Sequence, residues 1–165
     1  MTTPLPPGAT IGIFGGGQLG RMAAVAAAQL GYKCHIFSSD ANAPAKEVSA
    51  AATTAPYEDI NAARAFAHAV DVVTFEFENV PDDTLAAISE TVPVRPGVDT
   101  LHVSQDRAIE KSFLNDHGIG TAPWAPVNLA DDLSSAAILT GVPAILKTAR
   151  FGYDGKGQVR VDSGN

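Results

Sequence analysis

Cysteine is nearly absent from this sequence of 165 residues, and the single Cys34 excludes both an internal disulfide and a metal site built from several cysteines. Cys34 lies in an apolar run, so we expect it to be a small buried residue. No apolar run approaches the roughly 20 residues of a membrane-spanning helix. The N-terminus shows neither a basic segment nor a hydrophobic core, and we do not expect a signal peptide. These absences predict a cytoplasmic protein.

Positive charge is also scarce, because 18 acidic residues outnumber 11 lysines and arginines and the formal net charge is −7. This balance argues against nucleic acids and membrane surfaces as partners. The four histidines show no metal-ligand spacing, so no metal site is predicted within the chain, and no catalytic triad can be assembled. Hydrophobic residues nevertheless make up 45% of the chain, which is enough for a core.

Short apolar runs and helical patterns alternate along residues 1–100. Strands are predicted at residues 10–14, 33–37, 52–54, 71–75 and 92–95, and helices at residues 19–30, at 58–70 and from 81 onward. This order predicts an α/β fold with a Rossmann-like parallel sheet and helices on both faces. Ligands of such sheets bind beyond the carboxyl ends of the strands, where we place Gly17, Gln18, Asp40 and the segment 76–79.

Three glycines follow the first predicted strand at dinucleotide-binding spacing. Gly15, Gly17 and Gly20 fit G-x-G-x-x-G between a strand and a helix, and Asp40 lies about 20 residues further on, at the end of the next strand. Such a turn directs helix N–H groups at a phosphate. One interpretation is therefore the NAD(P)-binding domain of an oxidoreductase.

A second glycine-rich loop lies near the end of the chain. Predicted strands at 144–147 and 158–161 flank glycines 152, 155 and 157, and Gln158 after Gly157 excludes a Walker A loop. Residues 147–165 hold four of the 11 basic and two of the 18 acidic residues, so they carry +2 while the rest of the chain carries −9. Glycines beside cations favour a polyphosphate site over the alternative, an ordinary hairpin turn.

The connecting region contains one candidate cation. We predict that Ser104 caps a helix that ends near His117, with Arg107 three residues after the cap. A cation near a helix N-terminus is unfavourable, which makes Arg107 a candidate ligand residue. The alternative is an exposed arginine paired with Asp106 or Glu110. An irregular strand at 121–127 and a helix at 131–139 are predicted to follow.

Four motifs together resemble the 5-(carboxyamino)imidazole ribonucleotide synthases, ATP-grasp enzymes of de novo purine synthesis. They are GGGQLGRM from Gly15, TFEFENVP from Thr74, TAPW from Thr121, and K-T-A-R-F-G-Y-D-G-K-G-Q from Lys147. The resemblance implies a pre-ATP-grasp domain over residues 1–100, a connecting helix over 101–120, and the first part of an α+β ATP-grasp domain over 121–165. It also implies an N-terminal fragment, inactive alone, whose catalytic residues and magnesium ligands lie beyond Asn165.

The resemblance implies a ligase that forms a carbon–nitrogen bond. ATP, with Mg²⁺, activates bicarbonate, and the carboxyl group passes to the amine of 5-aminoimidazole ribonucleotide. The complete protein is expected to be a homodimer. By position, the nucleotide-binding residues are Arg107, Lys147, Gly152, Tyr153, Asp154, Gly155, Lys156, Gly157 and Gln158. The ribonucleotide-binding residues are Gly17, Gln18, Leu19, Glu76, Tyr153, Asp154 and Lys156.

On this resemblance Asp40 loses a ribose role and becomes a cap at the end of its strand. Two alternatives stay open at this point. One is the dinucleotide-binding domain of an oxidoreductase, which leaves the Lys147 loop unexplained. The other is a non-catalytic nucleotide-binding or dimerising module.

Overall fold

A computed structural model describes residues 4–152 and 155–163. The chain divides into two compact units, Met1–Leu101 and His102–Asn165. The domain boundaries drawn after residues 100 and 120 stay predictions. Within the described ranges, no helix combines the length and the apolar character needed to cross a membrane.

The first unit is built on a four-stranded parallel sheet. Its strands are β1 (Thr10–Phe14), β2 (Lys33–Ser38), β3 (Ala51–Thr54) and β4 (Val72–Phe75), in the spatial order β3-β2-β1-β4. In the register, Phe14 lies opposite Phe37 on one side and Phe75 on the other, so the carboxyl ends of β1, β2 and β4 are level. The predicted α/β fold with a parallel sheet is confirmed.

Helices cover both faces of this sheet, as predicted. The helical segments are α1 (Gln18–Gln29), a 3-10 helix (Pro44–Val48), α2 (Ile60–Ala67), α3 (Asp82–Ser89) and α4 (Val98–Gln105). Because side chains alternate along a strand, Ile13 packs with Ala24 of α1 and Ala45 of the 3-10 helix. Its neighbour Phe14 packs on the other face with residues of α2 and α3. Cys34 is 4% exposed, which confirms that it is buried.

The helix predicted over residues 58–70 is shorter in the structure. Asp59 precedes its first turn, and the carboxylate accepts the N–H of Ala62 at 2.9 Å, so the helix begins at Ile60. It ends at Ala67. The prediction failed at both ends because hydrophobic periodicity does not mark helix boundaries.

The strand predicted at residues 92–95 is reduced to a single bridge between Val94 and Val73. The Val73 N–H donates to the Pro93 carbonyl at 2.9 Å, and the Arg95 N–H donates to the Val73 carbonyl at 2.8 Å. Pro93 and Pro96 have no N–H to donate, so no longer ladder forms here.

The second unit contains α5 (Arg107–Asp116), α6 (Asp132–Thr140), β5 (Ala144–Lys147) and β6 (Gln158–Val161). The two strands are antiparallel, with Ala144 opposite Val161 and Lys147 opposite Gln158. Helix α6 ends at Thr140, and Gly141 follows it with a φ of 77°, in the left-handed region. The predicted strand, glycine-rich loop and strand are therefore confirmed.

The predicted cap at Ser104 is wrong. Ser104 lies inside α4, and Asp106 caps α5 instead, accepting the N–H groups of Ala108 at 2.8 Å and Ile109 at 3.3 Å. Arg107 is consequently the first residue of α5 rather than the third residue after a cap. An aspartate cap also places a carboxylate where the helix dipole favours one.

The strand predicted at residues 121–127 is also absent. Its prolines, Pro123 and Pro126, cannot donate to a ladder. The segment is held by side chains instead. The Trp124 Nε1–H donates to Asn115 Oδ1 at 3.1 Å, and Asn115 Nδ2 donates to the Ile119 carbonyl at 3.0 Å.

Candidate functional site

The loop of residues 15–17 joins β1 to α1 at the carboxyl edge of the sheet, and Gly20 lies in the first turn of α1. The Gly15 N–H donates to the Phe37 carbonyl at 3.0 Å, and the N–H of Glu76 donates to the Phe14 carbonyl at 2.7 Å. Gly15 has a φ of 115°, and a Cβ on Gly20 would lie 2.9 Å from the Gly15 carbonyl oxygen. The loop conformation itself therefore requires glycine at both positions.

The Glu76 carboxylate lies against this loop and accepts a hydrogen bond from the Gly17 N–H. A Cβ on Gly15 would lie 2.5 Å from Glu76 Oε2, so the carboxylate occupies space that a side chain would fill. Burial raises the pKa of the Glu76 carboxyl above its usual value, the Gly17 hydrogen bond opposes this rise, and the charge of Glu78 adds to it. The structure thus brings two predicted ribonucleotide residues, Gly17 and Glu76, into contact.

We expect Glu76→Gln to stabilise the first unit at neutral pH. A carboxyl group whose folded pKa is raised binds its proton more tightly in the folded state, so its stabilising effect is lost as pH rises through that pKa. The free energy of unfolding of the variant, relative to wild type, should therefore be higher at about pH 7 than at about pH 4. Denaturant titrations at both values measure this difference. An equal difference at both pH values, or the same trend in the exposed Glu90→Gln, would contradict it.

Gln18 and Leu19 begin α1, and both side chains are exposed, Leu19 by 64%. They lie at the same edge as Gly17, and among residues 4–152 and 155–163 no side-chain hydrogen bond holds Gln18 in place. Asp40 follows β2, and its Oδ1 accepts the Asn42 N–H at 2.8 Å. Asp40 thus caps the turn after its strand, as the resemblance implied.

Lys46, which the sequence analysis did not select, ties the strand ends together. Its Nζ donates to the carbonyls of Ser38 at 3.2 Å and Asp40 at 2.6 Å, and to Thr54 Oγ1 at 2.7 Å. The neighbouring Ala45 N–H donates to the Gly16 carbonyl at 3.0 Å. The 3-10 helix therefore links the glycine loop to the ends of β2 and β3. In the sequence, only Pro44 indicated a helical segment here, because proline is favoured at the first position of a helix.

A cavity of about 150 Å³ in the second unit lies beside the other glycine-rich loop. Its lining consists of Arg107, Lys147, Thr148, Gly152, Gly155, Lys156, Gly157 and Gln158. Three of these residues are cations, and no carboxylate belongs to the described lining. Such a set of donors suits phosphate oxygens, and it does not suit Mg²⁺, which takes oxygen ligands.

Two backbone contacts shape this cavity. An Arg107 Nη donates to the Gly152 carbonyl at 2.9 Å, and the Thr148 N–H donates to the Gly157 carbonyl at 2.8 Å. The cavity brings together every predicted nucleotide residue that the structure describes. Tyr153 and Asp154 lie outside the described residues, and Thr148 was missed because nothing in the sequence marked a threonine as cavity-lining.

A larger cleft of about 490 Å³ lies beside the Val73–Val94 bridge and is lined by residues 89–95, 97 and 98. None of the predicted site residues lines it. Among residues 4–152 and 155–163, no group of three or more His, Cys, Asp or Glu side chains could hold a metal ion.

Two family models match successive parts of the chain. The ribonucleotide synthetase pre-ATP-grasp domain family matches residues 8–105, and the ATP-grasp domain family matches residues 112–165. The N5-carboxyaminoimidazole ribonucleotide synthase of Brucella melitensis is 50% identical over 98% of this chain. A crystal structure of an N5-carboxyaminoimidazole ribonucleotide synthetase with ADP matches 99% of this chain at 39% identity and a TM-score of 0.93.

A further structure, of the enzyme from Aspergillus clavatus with ADP and 5-aminoimidazole ribonucleotide, matches 96% of the chain at 30% identity and a TM-score of 0.83. This chain spans 44% of the length of the Brucella protein and 43% and 42% of the two solved structures. The chain belongs to the ribonucleotide synthetase pre-ATP-grasp family and is a homologue of the N5-carboxyaminoimidazole ribonucleotide synthases.

Proposed function

We propose that the complete protein uses ATP and bicarbonate to carboxylate the exocyclic amine of 5-aminoimidazole ribonucleotide, releasing ADP and phosphate. Bicarbonate first takes the γ-phosphoryl group of ATP, and the resulting carboxyphosphate gives its carboxyl group to the amine. The observation that carries this proposal is the cavity lined by Arg107, Lys147 and Lys156 beside a glycine-rich loop. Concentrated cations and backbone N–H groups position a polyphosphate and stabilise its charge.

We propose two binding regions on this chain, in line with the ligands of the Aspergillus clavatus structure. The cavity of the second unit would bind the ATP phosphates through Arg107, Lys147 and residues 152–158. The glycine loop of the first unit would bind the ribonucleotide through Gly17, Gln18, Leu19 and Glu76. Tyr153, Asp154 and Lys156 are proposed to contact the ribonucleotide as well.

The Glu76 carboxylate can accept a hydrogen bond from an amine or a ribose hydroxyl, because it is half-buried and already fixed by Gly17. Mg²⁺ would supply charge neutralisation for the phosphates. We propose that its ligands are not among the residues described here, since the cavity offers cations and amides. A cytoplasmic homodimer is proposed from the resemblance, and light scattering on the complete protein tests the dimer.

Calorimetry on this chain tests the proposal with three ligands: 5-aminoimidazole ribonucleotide, ATP and NAD. We expect binding of the ribonucleotide and no binding of NAD. Binding of NAD without the ribonucleotide would instead support an oxidoreductase domain. In the complete protein, phosphate release should require ATP, bicarbonate and the ribonucleotide together, and release without the ribonucleotide would contradict the assigned reaction.

A further inference from the structure

The ammonium group of Lys46, in the 3-10 helix, is fully occupied by protein oxygens. An ammonium group has three hydrogens to donate. Lys46 Nζ donates to the carbonyls of Ser38 at 3.2 Å and Asp40 at 2.6 Å, and to Thr54 Oγ1 at 2.7 Å. Ser38 and Thr54 are the last residues of β2 and β3. Lys46 therefore has no hydrogen left for a phosphate, and its contacts instead anchor the 3-10 helix to two strand ends.

The other side of the 3-10 helix packs directly on the glycine loop. The Ala45 N–H donates to the Gly16 carbonyl at 3.0 Å. A Cβ on Gly16 would lie 2.5 Å from the Cβ of Ala43, so the missing side chain lets this segment approach the loop. Ala43 and Ala45 are 3% and 0% exposed, and the contact is closed to water. A displacement of the 3-10 helix is therefore transmitted to the Gly16 carbonyl.

The hydrogen bond on the Gly16 carbonyl also sets the direction of the next N–H group. The peptide between Gly16 and Gly17 is trans, so its C=O and N–H point in opposite directions. The Gly17 N–H consequently points away from the 3-10 helix. The Glu76 carboxylate lies beside the same residue, since a Cβ on Gly17 would be 3.3 Å from Glu76 Oε1. Both Gly17 and Glu76 belong to the region proposed to bind the ribonucleotide.

We propose that Lys46 is a positioning residue for ribonucleotide binding. It anchors the 3-10 helix to the ends of β2 and β3, and the helix in turn holds the Gly16–Gly17 peptide in its binding orientation. This inference rests on the proposed function, and Lys46 itself does not contact the ligand. A peptide that is already oriented need not be ordered when the ligand binds, so holding it in place raises the affinity.

The test compares Lys46→Met with Lys33→Met by calorimetry on this chain. Methionine keeps much of the length of the lysine side chain and removes its three donors. Lys33→Met makes the same change at an exposed position, at the start of β2. We expect Lys46→Met to weaken 5-aminoimidazole ribonucleotide binding about tenfold and Lys33→Met to bind like wild type.

Hydrogen exchange in the ligand-free chain separates positioning from direct contact with the ligand. The Ala45 amide should exchange about tenfold faster in Lys46→Met, while the β1 amides keep their wild-type protection. Weaker ribonucleotide binding with unchanged Ala45 exchange would make Lys46 a direct ligand and overturn the proposal. An equal loss of protection in β1 would show a general loss of stability and would overturn it as well.

Arg21→Met tests the same linkage from the side of α1. Arg21 Nη1 donates to the Pro44 carbonyl at 3.1 Å, so its removal should also free the 3-10 helix and weaken ribonucleotide binding. Because both residues act through one helix, Arg21→Met combined with Lys46→Met should lose less affinity than the two single losses added together. Fully additive losses would contradict a shared route.

The wild-type chain distinguishes the two ways in which this inference can fail. If wild type binds the ribonucleotide and Lys46→Met binds it equally well, only the role of Lys46 is wrong. If wild type does not bind the ribonucleotide, the proposed function fails and this inference fails with it.

Discussion

Lys147→Ala is expected to raise the dissociation constant for ATP between about tenfold and about a hundredfold in the complete protein. Lys147 is the last residue of β5 and lines the cavity with Arg107 and Lys156. A hydrogen bond between an ammonium and a phosphate contributes about 1.5–3 kcal/mol, and removing it leaves the phosphate charge less well balanced. Calorimetric titration with ATP measures the loss, and turnover at saturating bicarbonate and ribonucleotide should fall with it.

Lys33→Ala is the matched control for this prediction. Lys33 is an exposed lysine at the start of β2, opposite Thr10 at the amino ends of the strands, and it does not line the cavity. Its removal changes the net charge by the same amount, so it separates a local phosphate contact from long-range attraction. An unchanged ATP affinity in Lys147→Ala, or an equal loss in both variants, would remove Lys147 from the phosphate site.

The sheet was predictable because its strands are buried on both faces. Ile13 and Phe14 point to opposite sides of β1, and Ile36 and Phe37 do the same in β2, so each strand contains consecutive apolar residues. The glycine loop between β1 and α1 was equally plain, since its spacing is set by the steric needs of Gly15 and Gly20.

Helix α4 could not be predicted from periodicity. Its two fully buried positions are Leu101 and Gln105, one turn apart, and the second is a polar residue that no hydrophobic pattern would mark. Because α4 was not predicted, the predicted start of α5 was also wrong. Ser104 was predicted to cap α5, whereas Asp106 is the residue that caps it. A buried glutamine is stable only through tertiary contacts, here including the Arg150 guanidinium, which donates to Gln105 Oε1 at 2.6 Å.

The candidate site was predictable where backbone conformation sets it and unpredictable where side chains meet across the sheet. Glycine spacing indicated both loops. The contacts of Lys46 with the Ser38 carbonyl and with Thr54 Oγ1 join separate strand ends, and no local spacing encodes them. The residue pattern also left the dinucleotide interpretation open, because Asp40 stands at the right position while its carboxylate caps the local turn.

Phe66→Ala is expected to lower the free energy of unfolding of the first unit by about 3–5 kcal/mol. The Phe66 ring is 1% exposed and packs edge-on against Phe14, Phe37 and His35 at centroid distances of 5.1, 5.4 and 4.7 Å. Gly12 lies directly beside it, since a Cβ there would be 2.6 Å from Phe66 Cζ. Truncation removes the packing of three rings and leaves a cavity that the sheet cannot fill.

Hydrogen exchange of the β1 amides is the suitable measurement, because it reports on the first unit without a contribution from unfolding of the second. Met22→Ala, at a position 65% exposed on α1, removes a large apolar side chain from the same unit and should cost about 0.5 kcal/mol or less. Comparable losses in the two variants would show that the Phe66 cluster does not hold the sheet together. Since the N–H groups of Glu76 and Phe77 both donate to the Phe14 carbonyl, weakening this cluster should also loosen Glu76 and lower ribonucleotide affinity.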